Sequence, residues 1–299
     1  MIAFATSSLR RIPEPPAPLP SPGRAGRLRQ RRVLPGFGIS AAITALVVTT
    51  MVIIPLAVLV LRAASLGPEG FVAAAWTPRA RAAYGVSLTA SILAAAVSSL
   101  LGLLVAWVLA RIDFPGRRVL DALVDVPLAL PTAVAGLVYS ALYVENGWLG
   151  RCLVPWGIHG AYSFLGIVLV LVFVSLPFAV RVVQPVIESL DRDSEEAARI
   201  LGASGRQTFI RVVLPALLPA VTTGFALSLA RALGEYGSVV FISGNMPFRT
   251  EIAPVLIVAR LEEFAYAEAT AIAVVLLGLS LALLMVINRL QQRLAARGE

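Results

Sequence analysis

Apolar stretches and polar breaks divide this chain into six runs near the length that carries a helix across a bilayer. They extend from Ile39 to Leu61, Val86 to Leu109, Val124 to Val144, Phe164 to Val183, Ala216 to Ser243 and Ala267 to Ile287. The pattern predicts an all-α integral membrane protein with six transmembrane helices. The first run, within 38–62, reads as a separate anchor, and 86–288 as one five-span core. The longest connection between runs holds about thirty residues, too few for a soluble domain that folds alone. Residues 1–37 are rich in Pro and Arg, lack the apolar stretch of a signal peptide, and read as a disordered tail. Residues 289–299 form a second, short tail. No internal repeat is visible, which weighs against a secondary transporter.

Composition agrees with that class: 58% of the 299 residues are apolar and 14% charged, with mean hydropathy +0.86. Charge adds two constraints. All 25 basic residues are Arg and there is no Lys, which excludes the lysine of a phosphate-binding Walker loop and any Schiff-base lysine. Transport driven by ATP therefore needs its ATPase on another chain. The Arg residues are also unevenly placed. Seven precede the first run (Arg10, Arg11, Arg24, Arg27, Arg29, Arg31, Arg32), three lie in the second connection, four in the fourth, and three follow the last run. The intervening connections carry fewer, and the positive-inside rule then puts both termini of a multi-pass membrane protein in the cytoplasm. Topology accounts for the net charge of +8, and no nucleic-acid role is needed. The single Cys152 rules out an internal disulfide, and one Cys with the single His159 falls far short of a metal site.

The fourth connection carries a spaced motif over 193–215: Glu196-Ala197-Ala198, three residues to Gly202, nine more to Val212, then Leu214-Pro215. Local chemistry makes sense of it. Asp193 is placed to cap a short helix with Glu196 at the third position, and Gly202 to end it in the left-handed conformation. Ser204 with Gln207 repeats the capping box and starts a second helix, which must stop or bend before Pro215. The expectation is a helix-turn-helix on the membrane surface, with Ala197 and Ala198 either letting another protein approach closely or serving as ordinary helix filler. The spacing resembles the EAA loop by which permease subunits of ABC importers dock on their ATPase.

Two runs hold residues that a plain anchor would avoid. In the third, Asp125, Pro127 and Pro131 precede Thr132, Ala133, Ala135 and Gly136, a helix that bends readily and either packs through small residues or lines a path. In the fifth, Gly224, Ser228, Arg231 and Glu235 are expected on one helical face, followed by Gly237, Ser238, Ser243, Gly244 and Asn245. Counted from Ala216, Arg231 lies about 22 Å along that helix, and it is read as the only deeply intramembrane Arg. Ionisable groups at such depth cost about 2.5–3.5 kcal/mol each on insertion scales. Arg231 and Glu235 are therefore either a mutually neutralising structural pair or a pair beside the translocation path.

The segment from Arg231 to Asn245 resembles the fifth-span signature of sulfate/thiosulfate and molybdate permeases. Thr250-Glu251-Ile252, Arg260 to Phe264, Ala269 to Ala273, Phe114 to Arg117, Leu130 to Gly136 and Pro177 to Pro185 are similar to the T-type permease subunit of sulfate/thiosulfate importers. The likeness covers nearly everything after Arg32 and departs at the N-terminal tail and around Trp148 to Tyr162. It implies a type I ABC importer permease fold. It also implies a heterodimer with a homologous W-type permease, an ATPase dimer that binds the ATP and Mg, a periplasmic sulfate/thiosulfate-binding protein, and no cofactor on this chain. By the same likeness Glu196, Ala197, Ala198, Gly202, Leu214 and Pro215 couple to the ATPase. Pro131, Thr132, Gly136, Ser228, Arg231, Glu235, Ser238 and Asn245 are the path or gating candidates. A molybdate/tungstate permease is the alternative, although that group usually lacks the extra first span. An intramembrane enzyme finds no support in any His-Glu-x-x-His or Gly-x-Gly-Asp motif, and a passive channel would have no use for a docking loop.

Overall fold

Helices account for the regular structure of residues 37–295, which the computed structural model describes. The Pro- and Arg-rich segment before Phe37, and residues 296–299, lie outside the described residues. The chain divides into two units, Met1–Ile54 and Pro55–Glu299. In the first, α1 (Phe37–Val48) opens into a π turn (Thr49–Ile53). Phe37 thus begins a helix, where the sequence ended a tail. Thr50 Oγ1 donates to the Leu46 carbonyl at 2.8 Å, and the side chains described in this unit are exposed and mostly apolar, a surface suited to lipid.

The second unit begins within α2 (Ile54–Ala64) and continues through α3 (Gly67–Ala75), α4 (Pro78–Arg111), α5 (Arg117–Ala129), α6 (Thr132–Tyr143), α7 (Gly150–Leu153) and α8 (Phe164–Ser189). The remaining helices are α9 (Arg192–Ile200), α10 (Gly205–Thr208), α11 (Leu214–Leu233), α12 (Val239–Ile242), α13 (Ala253–Glu262) and α14 (Tyr266–Ala295). Its core is the mutual packing of α4, α8 and α11, made possible by small residues. Ala90, Ala94, Ser98, Gly102 and Ala106 recur every fourth position of α4 and are all buried, one face of a helix. A methyl group on Gly102 would lie 2.6 Å from the Ala179 Cβ of α8, and one on Gly224 of α11 would lie 3.2 Å from the Ala179 Cα. One turn away, Ser98 and Ser175 share a hydrogen bond of 2.8 Å, and Ser228 Oγ donates to the Ser175 carbonyl at 3.1 Å. Lipid offers no hydrophobic drive between helices, so close approach and buried hydroxyl bonds do the holding.

Among the described residues five helices are long and apolar enough to cross a membrane: Gly38–Ala64, Pro78–Arg111, Phe164–Ser189, Gly205–Leu233 and Tyr266–Gln292. The third expected span differs. It is broken at Leu130–Pro131 into α5 and α6, bent by 109°, because Pro131 has no N–H for the ladder and disfavours helical backbone at Leu130. α5 packs with Leu109, Val183 and Ile187 near the α9 end of the bundle, whereas α6 places Tyr139 against Ala90 and Ile167 at the other end. The bent pair therefore traverses the bundle as one broken span. The fifth expected span also differs, since its helix ends at Leu233 and Gly234–Ser238 intervene before α12.

The expected outcome at the core is specific. Gly102→Val should lower the thermal unfolding midpoint in detergent, with overpacking of this kind costing about 1–3 kcal/mol. Gly102→Ala combined with Ala179→Gly, which moves one methyl across the contact, should recover most of the loss suffered by Gly102→Ala alone.

Candidate functional site: an exposed surface helix and a junction of two broken helices

The loop after α8 starts differently from the sequence expectation. α9 is capped by Asp191, whose Oδ1 accepts from the Asp193 amide at 3.1 Å, so Asp193 falls inside the first turn. The reason is the backbone: Asp191 is extended, as a cap must be, with φ −67° and ψ 129°. Glu196 consequently sits in the second turn, exposed, and has no capping role. Gly202 does take the left-handed conformation, with φ +85°. The Ala203 amide reaches the Ala198 carbonyl at 3.0 Å and the Gly202 amide the Arg199 carbonyl at 2.9 Å, the two bonds of a Schellman ending. The capping box is present: Ser204 Oγ accepts from the Gln207 amide at 3.3 Å, and Gln207 Oε1 from the Ser204 amide at 2.8 Å.

Pro215 does not stop the second helix. A π turn over Phe209–Val213 precedes it, with the Leu214 amide bonded to the Phe209 carbonyl, and this widening accommodates the missing donor and the ring. The second helix is thus the near end of a membrane span, Gly205–Leu233, and only α9 is a separate surface helix. Its outer face is unusual. Ile200 and Leu201 are 86% and 88% exposed, beside exposed Glu196 and Ala197, which is an apolar tip of the kind that marks a protein interface. Ala198 and Leu214 are half-buried and Pro215 is exposed.

The two broken helices meet. A methyl on Gly136 of α6 would fall 2.2 Å from the Ser238 carbonyl, and one on Gly237 would fall 2.3 Å from Thr132 Oγ1. Backbone therefore touches backbone where α6 begins, directly after Pro131, and where α11 ends. Glu235 lies beyond the end of α11, past Gly234, and not on a continuous helical face as the sequence suggested. It nevertheless meets Arg231 at 2.5 Å. Its Oε1 accepts from both the amide and the hydroxyl of Ser238, each at 2.9 Å. Only 2% of the Glu235 side chain is exposed against 30% for Arg231, so the carboxylate is sealed while part of the Arg231 side chain is accessible. Thr132, Gly136, Arg231, Glu235 and Ser238 thus form one cluster. Ser228 is instead in the three-helix core. Asn245 holds a turn with φ +50°, its Nδ2 donating to the Val240 carbonyl at 3.0 Å.

Three arginines make long-range ion pairs that escaped the sequence reading. Arg181 of α8, a second Arg inside a span, donates to Asp125 at 2.9 and 2.6 Å, to the Asp121 side chain at 2.6 Å and to the Asp121 carbonyl at 2.9 Å, pinning α5 to α8. The signal was a charge within an apolar run. Arg79 makes a two-pronged contact with buried Glu251, 2.8 and 2.7 Å, joining α4 to the segment before α13. Arg111, at the end of α4, meets Glu195 of α9 at 2.8 Å. Nothing in spacing links residues so far apart in the chain. Among the described residues no group of His, Cys, Asp and Glu could hold a metal ion.

The junction yields an ordered series. Glu235→Ala removes the acceptor of buried Ser238 and strands Arg231, a type of loss that runs to about 3–5 kcal/mol. Glu235→Gln keeps an acceptor for Ser238, and Arg231→Gln with Glu235→Gln strands no charge. Unfolding midpoints in detergent should rank the double variant above Glu235→Gln and Glu235→Gln above Glu235→Ala; equal midpoints would show the pair to be idle.

Comparison with known proteins gives this geometry its context. Residues 98–298 match the family described as binding-protein-dependent transport system inner membrane component. A Synechocystis protein, "Sulfate transport system permease protein CysT", is 49% identical over 250 residues, covering 84% of this chain and 87% of its own. The Escherichia coli protein of the same description is 46% identical over 267 residues, covering 89% and 96%. Among solved structures, a bacterial ABC transporter that imports the acidic polysaccharide alginate superposes with TM-score 0.70 at 17% identity, over 86% of this chain and 96% of that one. The alginate transporter in complex with a pentasaccharide-bound periplasmic protein gives TM-score 0.70 at 18% identity, over 86% and 95%. These likenesses share the helical architecture and make the chain a transport subunit, not an enzyme. The chain belongs to the binding-protein-dependent transport system inner membrane components.

Proposed function

We propose that this chain is the permease subunit through which sulfate, and thiosulfate with it, crosses the inner membrane. It works with a homologous second permease, a separate ATPase dimer that binds ATP and Mg, and a periplasmic binding protein that delivers the anion. Both termini and α9 face the cytoplasm, and α9 is the element that docks on the ATPase. The observation that carries the substrate is the near-half identity, over most of the chain, to permeases described as sulfate transporters. The docking role is supported by α9 itself, a polar helix whose tip exposes Ile200 and Leu201. No Walker lysine is possible in a chain without Lys.

The broken-helix junction suits a path that must release what it admits. A dianion is held tightly by several charge-assisted hydrogen bonds. Here the accessible Arg231 is already paired with Glu235, and Arg181 with two aspartates. Neither offers a free cation. Weak binding along the path leaves selectivity to the protein that delivers the anion.

Labelled sulfate uptake in a strain lacking this chain should fall to background and return on complementation, with unlabelled thiosulfate competing and molybdate failing to compete. Uptake indifferent to the chain overturns the substrate. Topology is tested separately through Cys152, which is exposed in α7, between α6 and α8. An impermeant thiol reagent should label it in intact cells, and should label an Arg206→Cys, Cys152→Ser protein only after lysis. The reverse pattern overturns the cytoplasmic placement of α9.

A further inference from the structure

α9 has little of its own to hold it to the bundle. None of its residues is buried, and Glu195 and Ala198 are the only two of them that are not exposed. These residues are three apart and so share one face. Glu195 meets Arg111 at 2.8 Å, with only 12% of the Arg111 side chain and 14% of the Glu195 side chain exposed. The same guanidinium nitrogen reaches the Leu190 carbonyl at 3.5 Å, in the link from α8 into α9. Arg111 also lies over the Trp107 ring at 5.6 Å, and Trp107 meets Phe209 edge-on at 5.4 Å. Phe209 opens the π turn that leads into α11. Shielded from water, a charge-assisted pair of this length is stronger and more directional than a surface pair.

We infer that Arg111 is the positioning residue through which α9 moves the membrane helices: Glu195 ties the surface helix to the end of α4, and the Arg111–Trp107–Phe209 stack passes the displacement on to α11. α4 and α11 both pack on α8 through the small-residue core, so a push on α9 reaches all three helices. The two adjacent glutamates then divide the labour, Glu195 facing the permease and Glu196 facing outward. This rests on the proposed docking of α9 on the ATPase and adds which residues carry the motion inward.

The test uses the complete importer, purified with its ATPase and second permease and reconstituted in liposomes with sulfate-loaded binding protein. Three quantities are measured: retention of the ATPase on purification, ATP hydrolysed, and sulfate taken up. Arg111→Ala and Glu195→Gln should retain the ATPase and hydrolyse ATP, while sulfate moved per ATP falls about fivefold or more, the lower end of coupling between distant sites. Arg111→Glu with Glu195→Arg should restore the ratio above either single variant, which lost packing alone would not allow. Unchanged sulfate per ATP in Glu195→Gln overturns the inference, as does a charge swap no better than Glu195→Gln. Should Arg111→Ala fail to accumulate, Glu195→Gln and the swap decide. Loss of the ATPase from Glu195→Gln also overturns it, because Glu195 would then be a docking residue. Failure of the unaltered permease to retain an ATPase would instead overturn the proposed function.

Discussion

The structure depends on how closely α4, α8 and α11 approach one another. In lipid, apolar surface gains little by leaving its surroundings, so association must come from contact and hydrogen bonding. Gly102 and Gly224 leave no room for a methyl beside Ala179, and the Ser98, Ser175 and Ser228 hydroxyls satisfy each other and the backbone one turn away. Several elements of the second unit are tied to this three-helix unit. α5 is held to it by Arg181, the start of α13 by the amide of Ala253 on Ser87 Oγ at 2.7 Å, and α9 by Arg111. Arg79, Arg111 and Arg181 each answer one or two carboxylates of another element.

Breaking a helix inside a membrane is tolerated where protein covers the freed backbone groups. Here two breaks cover each other. The start of α6 lies against the segment after α11, and Glu235 takes up the Ser238 amide that would otherwise have no acceptor. Glycine at 136 and 237 is what permits the contact, since a side chain at either would collide with backbone or with Thr132. Discontinuous helices meeting in this way are also where transport proteins build sites that must form and dissolve.

Much of this was legible in the sequence, and the reasons for the rest are physical. An all-helical chain with several membrane-length spans follows from apolar length, and the Schellman ending at Gly202 and the capping box at Ser204 follow from residues whose conformational needs are local. The cap of α9 was misplaced by two residues because Asp191 and Asp193 are chemically alike, and only the end of α8 selects between them. The break at Pro131 was expected as a loosened helix, but a bend of 109° reflects what α6 packs against. Pro215 was read as a stop or a bend, because the π turn that absorbs it has no sequence signature. The pairs Arg79–Glu251, Arg111–Glu195 and Arg181–Asp125 join distant segments, and no periodicity encodes them. Arg181 nevertheless stood in an apolar run and warranted the same attention as Arg231.

The closed pairing of Arg231 with Glu235 has an electrical consequence. A group that is neutral as a pair contributes no net charge to move with, or against, the cargo. Each dianion carried inward then transfers two negative charges against an interior-negative membrane potential, at about 2.3 kcal/mol per charge for every 100 mV. For such a cargo the potential is a load, not a source of drive. On the proposed function, that load falls on nucleotide hydrolysis by the separate ATPase.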